Sequence, residues 1–271
     1  MIKICLILLI VIIVIINSNF NYDNESFKNY TILDNIKPYK KGNLQSDIAF
    51  VTLYTPNISD FSYYSEVALI EYCNKYNYGY YIYNEALSND IEHGCWNKIP
   101  AIQKHLNNHK YLIWIDSDAI INDFNIDIKQ FIKYNENKSV IVSHDINSKR
   151  NRPFFNSGVM IIKNNDFSNK VLHNTWNSDV KHGYANVGDQ VILRNEICKL
   201  CKKDNIDNIY SENKHIKVYP ERTFNSYPRL NKNKYHNKMV YKDFIIHYMG
   251  KSSKVRIEEM KKSLDRNNIK Y

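Results

Sequence analysis

The stretch Tyr111-Leu112-Ile113-Trp114-Ile115-Asp116-Ser117-Asp118 decides how the rest of the 271-residue chain is read. Five apolar or aromatic residues without a polar break describe a strand buried on both faces, and such strands belong to sheets covered by helices. Two carboxylates then emerge together at the strand's carboxyl end, where open α/β sheets bind their ligands. Two hard oxygen donors two residues apart suit one divalent cation, which can in turn bind a diphosphate. The plain alternative is a solvated acidic turn; the wholly apolar strand behind the triplet favours the metal reading.

Upstream, Ile48 to Thr55 is a short apolar run closed by Pro56, and Phe61, Tyr64, Ala68, Tyr72 and Tyr76 recur at helical spacing. A strand at Tyr80–Tyr83 follows, then a helix opening near Trp96, with Pro100 tolerated in its first turn. The order β-α-β-α-β predicts an α/β domain with a mixed, mostly parallel sheet flanked by helices. Downstream, strands are expected at Val140–Ser143, Gly158–Lys163 and Phe244–Tyr248, and helices near Phe167–Trp176, Asp189–Leu200 and Val255–Leu264. There is no internal repeat and no GxGxxG or Walker loop, which argues against a dinucleotide or P-loop enzyme.

Composition sets wider bounds. With 44% hydrophobic and 24% charged residues, the chain is neither wholly disordered nor a multi-span protein. Its net charge of +9 would suit an anionic partner, but the lysines are scattered, and Asn, Ile and Tyr are inflated alongside them. No basic stripe interleaved with aromatics is present, so nucleic acid is not an expected partner.

After Lys3, Ile4 to Ile16 contains no polar residue, which has the length of a signal h-region. Small residues for cleavage are nearly missing, so residues 1–18 are read as an uncleaved signal anchor, with a secreted form if cleavage follows Ser18. Lys3 before the segment, with Asp23 and Glu25 after it, predicts a type II, single-pass topology with a lumenal catalytic domain. Residues 19–45, polar and aperiodic, read as a stem, and 46–271 as one folded domain. Sequons at Asn24, Asn29, Asn57 and Asn137 permit a secretory location. Cys198 and Cys201 have CxxC spacing but no second ligand pair, so a disulfide or plain thiols are expected rather than a metal site.

Two further segments carry donors. His247 ends the apolar run Phe244-Ile245-Ile246 and offers an imidazole that can complete a metal shell with Asp116 and Asp118. Gly250, Lys251 and Lys254 follow it, and a Gly-led turn with lysines neutralises a diphosphate. Asp189-Gln190 opens a predicted helix; Asp there is commonly a cap, but it can also face an acceptor hydroxyl or a developing oxocarbenium charge.

Taken in order, these segments resemble glycosyltransferase family 34, which contains Golgi α-galactosyl- and α-mannosyltransferases and xyloglucan xylosyltransferases. The matching stretches are Trp96 to Ile102, Ile113 to Ala119, Asn156 to Lys163, Gly188-Asp189-Gln190, Arg222 to Pro228 and Asp243 to Gly250, together spanning about 48–256. The resemblance implies a GT-A fold and retaining transfer of galactose, mannose or xylose from a UDP- or GDP-sugar to a glycan or glycoprotein, with Mn²⁺ or Mg²⁺. Carried onto this chain, Asp116, Asp118 and His247 would bind the metal. Thr52, Lys98, Asp116, Ser117, Asp118, Asn156, Gly250, Lys251 and Lys254 would bind the donor. Asp189 and Gln190 would be catalytic. Gly188 stands where some members carry another acid, and Lys251 follows Gly250 directly, so the lysine that meets the phosphate is open. The acceptor can attack from the leaving-group face or after double displacement on Asp189. A haloacid-dehalogenase-like phosphatase using Asp116 and Asp118, or an inactive sugar-binding relative, are the alternatives.

Overall fold

In the computed structural model, which describes residues 32–88, 94–145, 155–178, 188–201, 213–220, 222–228 and 243–271, the apolar runs become strands. Chain order is β1 (Lys40–Gly42), β2 (Ile48–Leu53), α1 (Ser59–Tyr76), β3 (Gly79–Tyr83), α2 (Lys98–Leu106), β4 (Tyr111–Ile115), β5 (Ala119–Ile121) and α3 (Lys129–Lys133). It continues β6 (Val140–His144), β7 (Phe155–Lys163), α4 (Asp166–Trp176), α5 (Asp189–Leu200), β8 (Ile216–Tyr219), β9 (Ile245–His247) and α6 (Ser253–Arg266).

Seven strands form one sheet in the order β1-β3-β2-β4-β7-β6-β8, and β5 pairs with β9 in a second, two-stranded sheet. In the large sheet β3, β2, β4, β6 and β8 run one way, while β1 and β7 run against them. The expected mostly parallel α/β sheet is therefore present, and its reversed strand β7 builds the site. Pairing antiparallel to β4, with Ile115 opposite Val159, β7 brings its first residues to the carboxyl end of β4.

Residues alternate between faces along each strand. Phe50, Ile113, Ile115, Val159 and Ile161 share a core with Phe61, Leu69 and Tyr72 of α1, Met260 and Leu264 of α6, and the β5-β9 pair. The opposite face, carrying Ala49, Leu112, Trp114 and Met160, is covered by α2 and α5, with α4 packed against both helices. Helix α1 stops at Asn77, whose left-handed φ of 58° ends the helical hydrogen bonding.

Part of the polar segment expected as a stem is in the fold. β1 pairs antiparallel with β3, and Tyr39 and Lys40 hydrogen-bond the buried carboxylate of Glu66. Polar side chains suit a sheet edge, which is why composition alone read this strand as linker. Cys73, Cys95, Cys198 and Cys201 carry thiols rather than a disulfide. The apolar segment Ile4 to Ile16 lies outside the described residues; among the described ones no helix is long and apolar enough to cross a membrane.

Candidate active site

Asp116 follows β4 directly, and its backbone N–H donates to Gly158 O at 2.7 Å, stitching the Asp-x-Asp loop to β7. Ala119 N donates to Asp116 O at 2.9 Å, so the loop is a tight turn into β5. Because β5 pairs with β9, Ala119 stands opposite His247, and Tyr248 N donates to Asp118 O at 2.9 Å. Residues 129 positions apart in sequence thus converge: Asp116, Asp118 and His247 offer ligand atoms that all lie within 4.8 Å of one another.

His247 is oriented by a chain of amides. Gly158 N and Asn225 Nδ2 both donate to Asn156 Oδ1, at 2.8 and 2.7 Å, which leaves Asn225 Oδ1 facing His247 Nδ1 at 3.0 Å. Nδ1 therefore carries a proton and Nε2 points at the carboxylates, 3.0 Å from Asp118 Oδ1 and 3.7 Å from Asp116 Oδ2. An outer partner that fixes the tautomer of an imidazole is the usual support of a metal ligand. Burial would lower the imidazole pKa, but the hydrogen bond and charge of Asp118, with Asp116 behind it, raise it above its ordinary value. Burial pushes Asp118 the other way, yet His247 and Arg256 hold its carboxyl below the usual range. Two acids and an imidazole with a directed Nε2 fit an oxygen-preferring cation such as Mn²⁺ or Mg²⁺. The Tyr227 ring stacks on the imidazole at 5.6 Å between centroids.

Gly158 makes this approach possible. A Cβ built there would stand 2.2 Å from His247 Cε1 and 2.6 Å from Nδ1, so no larger residue fits under the ring.

A second group of residues lies beside Asp116. Lys98 Nζ lies 3.2 Å from Asp116 Oδ1, 3.0 Å from Asp189 Oδ2, and 3.0 Å from both the carbonyl and hydroxyl oxygens of Ser157. Burial would lower the ammonium pKa, but the charges of Asp116 and Asp189 raise it above its ordinary value. Ser157 Oγ donates to Asp189 Oδ2 at 3.0 Å, and Ser157 N donates to Gln190 Oε1 at 2.9 Å. Gln190 Nε2 donates to Asp145 Oδ2 at 3.0 Å, so both ends of that amide are held.

Asp116, Asp118, His247, Lys98, Asn156, Asp189 and Gln190 are brought together, and Lys98 and Asn156 among them are enclosed by protein. Lys98 was expected to meet the donor; its side chain is 3% exposed, and its three protons are taken by the acceptors that surround it. Asn156, another expected donor contact, is buried and spends its carbonyl oxygen on Gly158 and Asn225. Thr52 is buried on β2 with an unpartnered Oγ1, and Ser117 is buried within the loop. Gly250, at φ +68°, makes the turn after β9 that Lys251 N closes onto Tyr248 O at 3.1 Å. Lys251 and the exposed Lys254 stand on this turn and on the first turn of α6. Sequence reasoning gave no role to Ser157, Asn225, Asp145 or Arg256. The first two lie in stretches already singled out, whereas Asp145 and Arg256 have no local signature.

Comparison with known proteins places this geometry. Residues 68–152 match the galactosyl transferase GMA12/MNN10 family, so the resemblance to glycosyltransferase family 34 holds across the Asp-x-Asp strand. Xyloglucan 6-xylosyltransferases 2 and 1 of Arabidopsis thaliana are 28% and 27% identical over 144 residues, half of this chain. The chain aligns with only 28% of the length of either relative. Among solved structures, a glycosyltransferase involved in glycosylation of the major capsid of PBCV-1 matches with a TM-score of 0.59 at 18% identity, over 79% of this chain and 98% of that one. The bifunctional glycosyltransferase WbbM matches with a TM-score of 0.50 at 13% identity, over 80% of this chain and 50% of that one. The fold is the GT-A fold of glycosyltransferases.

Proposed function

We propose that this chain is a metal-dependent retaining glycosyltransferase that moves a hexose or pentose from a UDP- or GDP-sugar to a glycan or glycoprotein acceptor. The observation that carries this reading is the convergence of Asp116, Asp118 and His247 within 4.8 Å at the carboxyl edge of a glycosyltransferase sheet. These three residues would hold Mn²⁺ or Mg²⁺, which supplies charge neutralisation for a leaving nucleoside diphosphate. Lys251 on the turn after β9 and Lys254 in the first turn of α6 add positive charge for the same diphosphate.

Lys98 acts on the protein rather than on the donor. By neutralising Asp116 and Asp189 together it keeps two acids side by side at neutral pH, where they would otherwise repel. Asp189 is 4% exposed, and its Oδ2 is occupied by Lys98 and Ser157. Such a carboxylate is a weak nucleophile, which supports attack by the acceptor hydroxyl from the leaving-group face over double displacement. Gln190 is held by one bond at each end of its amide, and the second lone pair of Oε1 or the second proton of Nε2 would hold a sugar hydroxyl. A phosphatase would need Asp116 free to attack, but its Oδ1 accepts from Trp114 Nε1 at 2.6 Å and faces Lys98. The apolar segment Ile4 to Ile16 would hold the enzyme at a membrane with this domain in the lumen.

The test is a panel of UDP- and GDP-sugars incubated with protein and Mn²⁺, following sugar release and transfer by NMR. One donor should be consumed with its anomeric configuration kept, and no turnover of any member would reject the reading.

A further inference from the structure

We infer that Arg256 is a positioning residue that fixes Asp118 for cation binding and so couples the C-terminal helix α6 to the metal site. The inference rests on Asp116, Asp118 and His247 being a cation site. Arg256 Nη2 donates to Asp118 Oδ2 at 2.8 Å, and its Nε donates to Tyr248 O at 3.2 Å. Its guanidinium carbon lies 4.5 Å from the centre of the Phe61 ring on α1. One planar group thereby ties the loop carrying Asp118 to the residue after His247, and rests on a third element while doing so.

The consequence is a division of labour within one carboxylate. Oδ2 is committed to Arg256, and Oδ1 is turned toward His247 Nε2, 3.0 Å away, into the space where a cation would be shared. Without Arg256 the Asp118 side chain can rotate and present either oxygen, or leave the site. A counter-effect opposes this. Arg256 is a positive charge near a cation, so deleting it also removes repulsion and by that route would tighten binding. The two roles predict opposite signs. The guanidinium's double contact and its stacked seat favour positioning, because a mere counter-charge needs neither. Lysine keeps the charge but has no fork with which to reach both Asp118 and the Tyr248 carbonyl.

The experiment is Mn²⁺ titration of the full chain, without nucleotide, read by loss of the free-ion electron paramagnetic resonance signal, for wild type, Arg256→Met and Arg256→Lys. Thermal melting with chelator is measured in parallel. Arg256→Met should weaken Mn²⁺ binding by about 10–100-fold, the scale for losing an outer partner of a metal ligand. Arg256→Lys should fall between it and wild type. Unchanged or tighter binding in Arg256→Met, or a lowered melting temperature with an unchanged Mn²⁺ dissociation constant, would overturn the positioning role. Should Arg256→Met not fold, Arg256→Lys decides: affinity equal to wild type overturns the inference. A wild-type chain that takes up no Mn²⁺ would instead reject the cation site itself, and the inference with it.

Discussion

His247 Nε2 lies 3.0 Å from Asp118 Oδ1, a hydrogen bond that only the protonated imidazole can make once Nδ1 has donated to Asn225. Below the raised pKa of His247, the Nε2 proton therefore lies between the imidazole and Asp118. Because the folded-state pKa of His247 is raised, this interaction stabilises the fold below the ordinary histidine value of about 6.5 and is lost as pH rises through the folded value. Thermal melts in chelator should show stability declining with pH across that window, with Mn²⁺ restoring it at the alkaline end. His247→Gln should flatten the decline. The same slope in the variant would show that the proton is bound elsewhere.

Lys98 yields a prediction that separates support from donor binding. Lys98→Met removes the cation that Asp116 and Asp189 both contact. Breaking a buried pair by removing one partner costs about 3–5 kcal/mol. The denaturation midpoint should fall accordingly, and adding Asp189→Leu to the same chain should recover a substantial part of it. If Lys98 instead served the donor alone, Lys98→Met would leave stability near wild type and raise only the donor KM.

Gly158→Ala should damage the site while sparing the sheet. The added methyl would meet His247 Cε1 at 2.2 Å, and the ring, backed by Tyr227, has to tilt away from Asn225. Overpacking of this kind costs about 1–3 kcal/mol. Cation affinity should drop by about tenfold or more as the imidazole loses its orientation. Wild-type Mn²⁺ binding in this variant would mean that the ring position is not what tunes the site.

The sequence was most legible where one residue type does one job. Tyr111 to Ile115 has no polar interruption, so its strand was found residue for residue, with the Asp-x-Asp at its carboxyl end. Helix α5 was likewise legible from its acidic start through Leu200. β1 was missed because Lys40 and Lys41 suit an edge strand and a linker equally well. β5 was missed because Ala119 to Ile121 is too short to show a period. Asp116, Asp118 and His247 were readable as donors after apolar strands, but the enclosed positions of Lys98 and Asn156 were not. Lysine is ordinarily a surface residue, and only the return of β7 to the end of β4 reveals that Lys98 is buried between two acids. Arg256 was unreadable for the same reason: its partner lies 138 residues away.

The central claim, that Asp116, Asp118 and His247 hold a cation that a nucleoside diphosphate shares, is tested most directly by calorimetric titration of UDP and GDP into the chain with Mn²⁺ and again with chelator. One of the two nucleotides should bind with Mn²⁺ and lose most of its affinity in chelator, and Asp118→Ala should bind poorly in both conditions. Equal affinity with and without the metal, or undiminished Mn²⁺-dependent binding by Asp118→Ala, would contradict the account.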